Sequence, residues 1–232
     1  PSGSHRIAFG VELLDGDIDS TGFSTPPTSP GSYDPSAPSS KNTVGARNAG
    51  LFLQDAWTIT PKWTVTAGAR ADRSRVDYQE AIPGTTPFDD RKFSEVSFRA
   101  GATFRPNELV DLYASYGDAF LPPTPEQLFA FPGFGSNPDL LPEDARAYET
   151  GVRVHGQTGV VEVSLFSIDT NNEIIFDPTP TAADPFGRNV NAGETNRRGV
   201  EVAARGRLAR RLSGFANASY TDASFTSGAN DG

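Results

Sequence analysis

The 232 residues include no cysteine, which excludes a disulfide framework or a thiolate site in this stretch and is compatible with export without requiring it. Histidine is almost as scarce. His5 falls at a strand start and His155 in a turn, too few parts for a histidine-based triad or a histidine-rich metal centre, so no catalytic residue, metal or cofactor is expected. Long hydrophobic runs are missing: none approaches the roughly 18 residues that a spanning helix needs, and a helical membrane protein is excluded. Positive charge is in deficit. Twenty Lys and Arg against 29 Asp and Glu give a net charge of −9, which argues against a duplex nucleic-acid partner, since that needs clustered positive charge. The basic stretch Arg197, Arg198, Arg205, Arg207, Arg210 and Arg211 divides, on a strand pair, between the inward polar face and the short-turn rim. Pairing with Glu201 or Glu149, or contact with lipid headgroups, explains it better than a phosphate-reading surface.

What the chain does have is a rhythm. Stretches of about ten residues with every second side chain apolar are joined alternately by very short and very long connections. The short ones lie at Thr60-Pro61-Lys62, Arg105-Pro106-Asn107, His155-Gly156-Gln157-Thr158 and Leu208-Ala209-Arg210-Arg211, and the long ones are rich in Pro, Gly, Ser and Asp. Nine strands are predicted, at 5–14, 46–59, 63–77, 92–104, 109–118, 145–155, 159–169, 196–207 and 212–225. In the third, Trp63, Val65, Ala67, Ala69 and Ala71 oppose Thr64, Thr66, Arg70 and Asp72; in the fourth, Val96, Phe98, Ala100, Ala102 and Phe104 oppose Glu95, Ser97, Arg99 and Thr103. A one-residue slip would carry Arg70, Arg99 or Arg205 onto the apolar face, at roughly 2–4 kcal/mol each if that face meets mid-bilayer lipid. Register is therefore strongly specified.

Hydrophobic residues make up only 36% of the chain and mean hydropathy is −0.42, which a membrane barrel tolerates because its inward half is polar. Trp57, Trp63 and Phe104 flank short turns, where an interfacial aromatic girdle belongs. Tyr148 and Tyr220 lie toward the opposite rim. Asp55 breaks the pattern by sharing a face with Leu51, Leu53 and Trp57, close to the rim where a charge costs only about 0–1 kcal/mol. A soluble β-sandwich also alternates, but its strands are shorter and its loops do not alternate in length. The expected fold is an all-β antiparallel transmembrane barrel portion.

Two segments outside the strands carry chemistry worth weighing. Asp15-Gly16-Asp17-Ile18-Asp19 alternates carboxylates, but Ser20 and Pro26 stand where a helix-flanked calcium loop needs Gly and Glu, so a solvated loop base is expected instead. Between Phe120 and Leu140, Phe129, Phe131 and Phe134 sit among prolines and glycines. Such a cluster either forms a binding surface or packs against neighbouring loops. The N-terminus lacks the basic-then-apolar layout of a signal peptide, and the chain reads as a piece of something larger.

Several stretches resemble the barrel of TonB-dependent outer-membrane receptors. Ala49-Gly50-Leu51-Phe52-Leu53-Gln54-Asp55-Ala56-Trp57 resembles the family's GxFxQDxW strand, and Thr66-Ala67-Gly68-Ala69-Arg70-Ala71-Asp72 its TAGxRxD. Tyr113-Ala114-Ser115-Tyr116-Gly117-Asp118-Ala119-Phe120 is similar to Y.SYG.aF, Asn137 to Glu143 with Tyr148-Glu149-Thr150-Gly151 to NPdLkPE…YE.G, and Asn191-Ala192-Gly193-Glu194 with Arg198-Gly199-Val200-Glu201 to NaGe…rGvE. The resemblance implies a 22-strand barrel around an N-terminal plug, of which residues 1–232 would supply about nine strands, with transport energised through TonB. Outer-membrane lipid, the plug and TonB would be its partners. Haem receptors of the family carry a His between their FRAP and NPNL boxes. None lies between Phe120-Leu121-Pro122-Pro123 and Asn137-Pro138-Asp139-Leu140, so a ferric siderophore is the favoured ligand. Arg70, Asp72, Glu95, Arg99, Glu149, Arg153, Glu201 and Arg205 would form a polar wall facing the plug, and Phe129, Phe131 and Phe134 would meet the ligand. A passive porin-type or structural outer-membrane barrel is the alternative, with a soluble secreted β-sandwich binding module behind it.

Overall fold

A computed structural model describes residues 3–23, 34–82, 89–129, 137–182 and 184–227. In chain order the elements are β1 (Ser4–Gly22), β2 (Ser40–Thr60), β3 (Trp63–Ile82), β4 (Asp89–Asn107), β5 (Val110–Leu121), α1 (Pro125–Leu128), β6 (Glu143–His155), β7 (Gly159–Asn171), β8 (Ile174–Asp177), β9 (Arg188–Asn191), β10 (Glu194–Ala209) and β11 (Leu212–Phe225). Nine of the strands form one antiparallel sheet in the order β1-β2-β3-β4-β5-β6-β7-β10-β11, and β8 pairs with β9 alone. This is a meander. Each strand lies beside its neighbour in sequence, interrupted once by the small hairpin.

Registered pairs put the apolar positions together. Trp63 faces Phe104, Ala69 faces Phe98 and Ala71 faces Val96 across β3 and β4, while Phe9 faces Leu53 and Val11 faces Leu51 across β1 and β2. The resulting apolar face is uncovered: Phe9 and Leu13 are each 78% exposed, and Ile7, Leu51, Leu53, Phe98, Leu165 and Val202 are exposed with them. A sandwich would bury that face under a second sheet, and water would not tolerate so continuous a patch. The buried hydrophobic cluster is small, comprising Val76, Phe93, Leu128 and Leu140, and it lies on the other face.

Strands β1 to β4 are longer than the alternation predicts, at 19, 21, 20 and 19 residues. At about 3.3 Å per residue, 20 residues reach about 65 Å, far beyond an apolar band about 25 Å tall. Most of the extra length lies on the side of the long connections, beyond the predicted ends. The Asp15-to-Asp19 segment, expected as a loop base, is part of this extension. Asp15, Asp17 and Asp19 face Arg47, Gly45 and Thr43, with Arg47 Nε 3.1 Å from Asp15 Oδ1 and Thr43 Oγ1 donating to Asp19 Oδ1 at 2.6 Å. Three short connections fall where expected, but Arg105-Pro106-Asn107, expected as a link, ends β4 beyond a register shift and the turn lies at Glu108-Leu109; β11 has the predicted bounds.

The out-of-pattern Asp55 has a local answer. His5 Nδ1 lies 2.6 Å from Asp55 Oδ2, and the His5 ring stacks on Trp57 with centroids 5.4 Å apart and planes 8° from parallel. Trp63 stacks on Phe104 at 4.6 Å beside the same rim. Aromatic rings and one shielded carboxylate thus mark the short-turn edge of the apolar face.

Candidate functional site: the polar face and its cap

Alternation carries the charged residues of β3, β4, β6 and β10 to the face opposite the exposed hydrophobics. There they form chains of ion pairs. Arg70 bonds Asp72 at 2.7 Å and Glu12 of β1 at 3.1 Å. Gly50 makes this possible: it lies between Glu12 and Asp72 in register, and a Cβ there would come within 2.9 Å of the Arg70 guanidinium carbon and 2.8 Å of Asp72 Oδ1. Gly68 does the same for the next contact, in which Arg99 Nη1 donates to Gln54 Oε1 at 3.0 Å. A Cβ at 68 would crowd both, 3.2 Å from Arg99 Cγ and 3.3 Å from Gln54 Cβ. The glycines of the two motif strands are spaces for arginines.

On β5 to β7, Arg153 grips Glu162 with Nε at 3.0 Å and Nη2 at 2.8 Å. Tyr113 Oη lies 2.8 Å from Glu149 and 2.9 Å from Glu162, so two carboxylates share one phenol. At the short-turn rim Asp111 is buried between Arg105, at 2.5 Å, and His155, at 2.9 Å. Gln54, Arg99, Tyr113, Ser115, Glu149 and Arg153 line a recess of about 610 Å³ on this face. Of the expected wall residues, Arg99, Glu149 and Arg153 line this recess, and Arg70 and Asp72 pair on the same face outside it. Glu95 shares the face and stands opposite Asp72. Glu201 lies exposed on β10, and Arg205 lines a second recess beside Glu162. Sequence reasoning missed Gln54, Asp111, Tyr113 and Glu162, although strand parity alone puts all four on this face.

Arg197 does not pair with Glu201 or Glu149 as expected. Its guanidinium clasps Glu173, in the connection after β7, at 2.5 and 2.9 Å, and Thr195 Oγ1 donates to the same carboxylate. The clasp holds the Glu173 carboxyl below the usual glutamate range, chiefly through the Arg197 hydrogen bond, with burial opposing. Arg198, on the opposite face, pairs with Asp222 at 3.1 Å.

At the long-connection end, the segment after β5 folds across the polar face. Thr124 and Gln127 form a reciprocal capping box that starts α1, with Pro at the first position, where its missing N–H costs nothing. Leu128 then packs with Leu140 on Val76 and Phe93 of β3 and β4. Phe129 stacks on Tyr78 at 5.0 Å, so this ring is partly engaged by the wall; Phe131 and Phe134 lie outside the described residues. Asn137 Nδ2 donates to Asn189 O at 2.8 Å, and Glu143 accepts from the Ile174 amide at 2.8 Å. Asn191 donates to Leu141 O and Asn172 O and accepts from Leu141 N. The NPDL and NAGE motifs are thus the stitches between the β5–β6 connection and the β8–β9 hairpin.

A single sheet with one face open to an apolar medium, an ion-paired face behind it and a cap of connections at one end is the wall of a β-barrel. The chain belongs to the TonB-dependent receptor family: the family's model, described as TonB dependent receptor-like, beta-barrel, matches residues 3–232. The ferrichrome outer membrane transporter/phage receptor of Escherichia coli K12 is 26% identical over 185 residues, covering 78% of this chain and 22% of that protein. Hemoglobin-haptoglobin-binding protein A of Haemophilus influenzae is 35% identical over 89 residues, covering 36% of this chain and 8% of that one. The solved structure of the copper transporter OprC superposes with a TM-score of 0.79 at 19% identity over 96% of this chain and 35% of its own. The chain spans about a quarter or less of the length of the curated relatives it matches.

Proposed function

We propose that this chain is part of the barrel of an outer-membrane receptor that takes up a scarce nutrient, a ferric siderophore or similar chelate, by TonB-dependent transport. The observation that carries this is the division of the sheet into an uncovered apolar face and an ion-paired polar face with a cap folded over it. The first meets outer-membrane lipid. The second faces the plug, which with the remaining strands and the TonB contact belongs to the rest of the receptor. The partly exposed pairs Arg70–Asp72 and Arg153–Glu162 add only about 0–1 kcal/mol each, so this part of the wall serves by presenting charge in fixed positions rather than by holding the sheet together. Phe129 lends one ring to the framework of the mouth, and Phe131 and Phe134, on sequence grounds, meet the ligand. No enzymatic step enters. Names among the relatives span ferrichrome and haemoglobin; the absence of His between Phe120 and Asn137 favours a siderophore over haem.

The test uses the complete receptor, expressed in iron-limited cells lacking other ferric-chelate receptors and offered a panel of radiolabelled iron chelates. Accumulation of one chelate that ceases when TonB is removed is expected. Passive, TonB-independent entry of small solutes would establish the porin-type alternative instead.

A further inference from the structure

The polar face of β1 to β4 changes character one row above the Arg70 ion pairs. Glu12, Gly50, Asp72 and Glu95 follow one another in register. The next rows toward the long connections are Leu14, Asn48, Ser74 and Phe93, then Gly16, Ala46, Val76 and Arg91, then Ile18, Val44, Tyr78 and Asp89. Of these, only Arg91 and Asp89 are charged residues. The cap covers part of this panel and leaves part open: Leu128 and Leu140 pack on Val76 and Phe93, with Val44 and Phe129 beside them, whereas Leu14 and Ile18 of β1 are each 57% exposed.

Positive charge at this level is already engaged. Among the described residues of this face and the cap, Arg91 donates to Leu140 O at 3.0 Å, with Asp139 4.0 Å away. Arg197 is clasped by Glu173, and Arg188 lies 3.7 Å from Asp184. Acids are not matched in the same way. Glu95, below the panel, and Glu126, in α1, have no cationic partner among the described residues. The arc therefore meets an approaching ligand with apolar side chains and free negative charge, and it holds no spare guanidinium to clasp an anion.

We propose that the mouth over β1 to β4 selects an electrically neutral ferric chelate of the hydroxamate type, whose organic frame lies on Leu14 and Ile18, and disfavours anionic chelates. The selection rests on the siderophore reading given above and narrows its ligand. Three hydroxamates each give up one proton and together cancel the charge of ferric iron, whereas three catecholates give up two each and leave a trianion. A neutral chelate gains from contact with exposed apolar side chains. A trianion would lose hydration there without a compensating cation and would be repelled by Glu95 and Glu126.

Binding is measured on the complete receptor in outer-membrane fragments, with ferric trihydroxamates and ferric tris-catecholates of several organic frames. Wild type is expected to bind its best trihydroxamate at least about tenfold tighter than its best tris-catecholate. In L14K/I18K two ammonium groups stand roughly 8 Å from the bound iron in screened, high-dielectric surroundings, which should strengthen tris-catecholate binding about fivefold or more and weaken that of the trihydroxamate. L13K, one residue away on the opposite face, should change neither. Heat-modifiable mobility on gels confirms that each variant is folded. Equal or tighter binding of tris-catecholates by wild type, an unchanged preference in L14K/I18K, or the same shift in L13K would overturn the charge selection and leave the siderophore reading standing. Binding of no ferric chelate by the folded receptor would overturn that reading itself, and the selection with it.

Discussion

Replacing Glu173 by Gln probes the clasp that holds the β8–β9 hairpin over the polar face. The wild-type carboxylate is mostly buried, takes two bonds from Arg197 at 2.5 and 2.9 Å and accepts a third from Thr195. An amide retains one acceptor oxygen but no charge, so the charge-assisted part is lost, about 1.5–3 kcal/mol. At 1.4 kcal/mol per tenfold, local opening becomes roughly ten- to hundredfold more frequent. Hydrogen exchange reads this at the Ala192 amide, which donates to Glu173 O at 2.7 Å, and at the Ile174 amide, while amides of β6 and β7 far from the clasp stay unchanged. The pH dependence follows from the lowered carboxyl. A depressed folded value means the clasp contributes fully above the ordinary glutamate range and loses that contribution as pH falls through the lower, folded value. Protection in the wild type should hold from neutral pH to about pH 5 and decline below about pH 4, whereas E173Q should show no such step. Protection at Ala192 within twofold of wild type in folded E173Q, or an acid step that persists in it, would refute the reasoning.

Asn191→Ala removes three hydrogen bonds between connections and should cost about 1–3 kcal/mol locally, seen as faster cleavage of residues 122–142 by added protease on intact cells. Gly50→Val would drive a branched side chain into Arg70 and Asp72, destabilising the barrel by about 1–3 kcal/mol, read as a lower temperature for loss of heat-modifiable gel mobility. Leu53→Arg, on the apolar face, should cost about 2–4 kcal/mol in vesicle-refolding titrations, against well under 1 kcal/mol for Ser115→Arg on the polar face. Equal costs would contradict the assignment of the two faces.

The alternation made the apolar band legible, including which residues of β3 and β4 share a face and where the short turns fall. It failed at the strand ends toward the long connections: Tyr78 to Ile82 of β3 continue the ladder, with a register shift opposite Lys41 and Asn42, held by backbone bonds that leave no hydropathy signature. The β8 and β9 strands, four residues each, are too short for any period to register. The polar wall was legible as parity but not as pairing, because Arg197 finds Glu173 through a connection whose path the sequence does not state. α1 was within reach, since Thr124-Pro125-Glu126-Gln127 spells a helix start, but one turn is too brief to announce an element.

The Asn191 stitches have a mechanical consequence. Because one side chain grips both Leu141 and Asn172, the connection before β6 and the hairpin before β10 cannot be displaced independently without breaking its bonds. The mouth over this arc therefore has one moving part rather than two, and whatever pushes on either connection is felt by both.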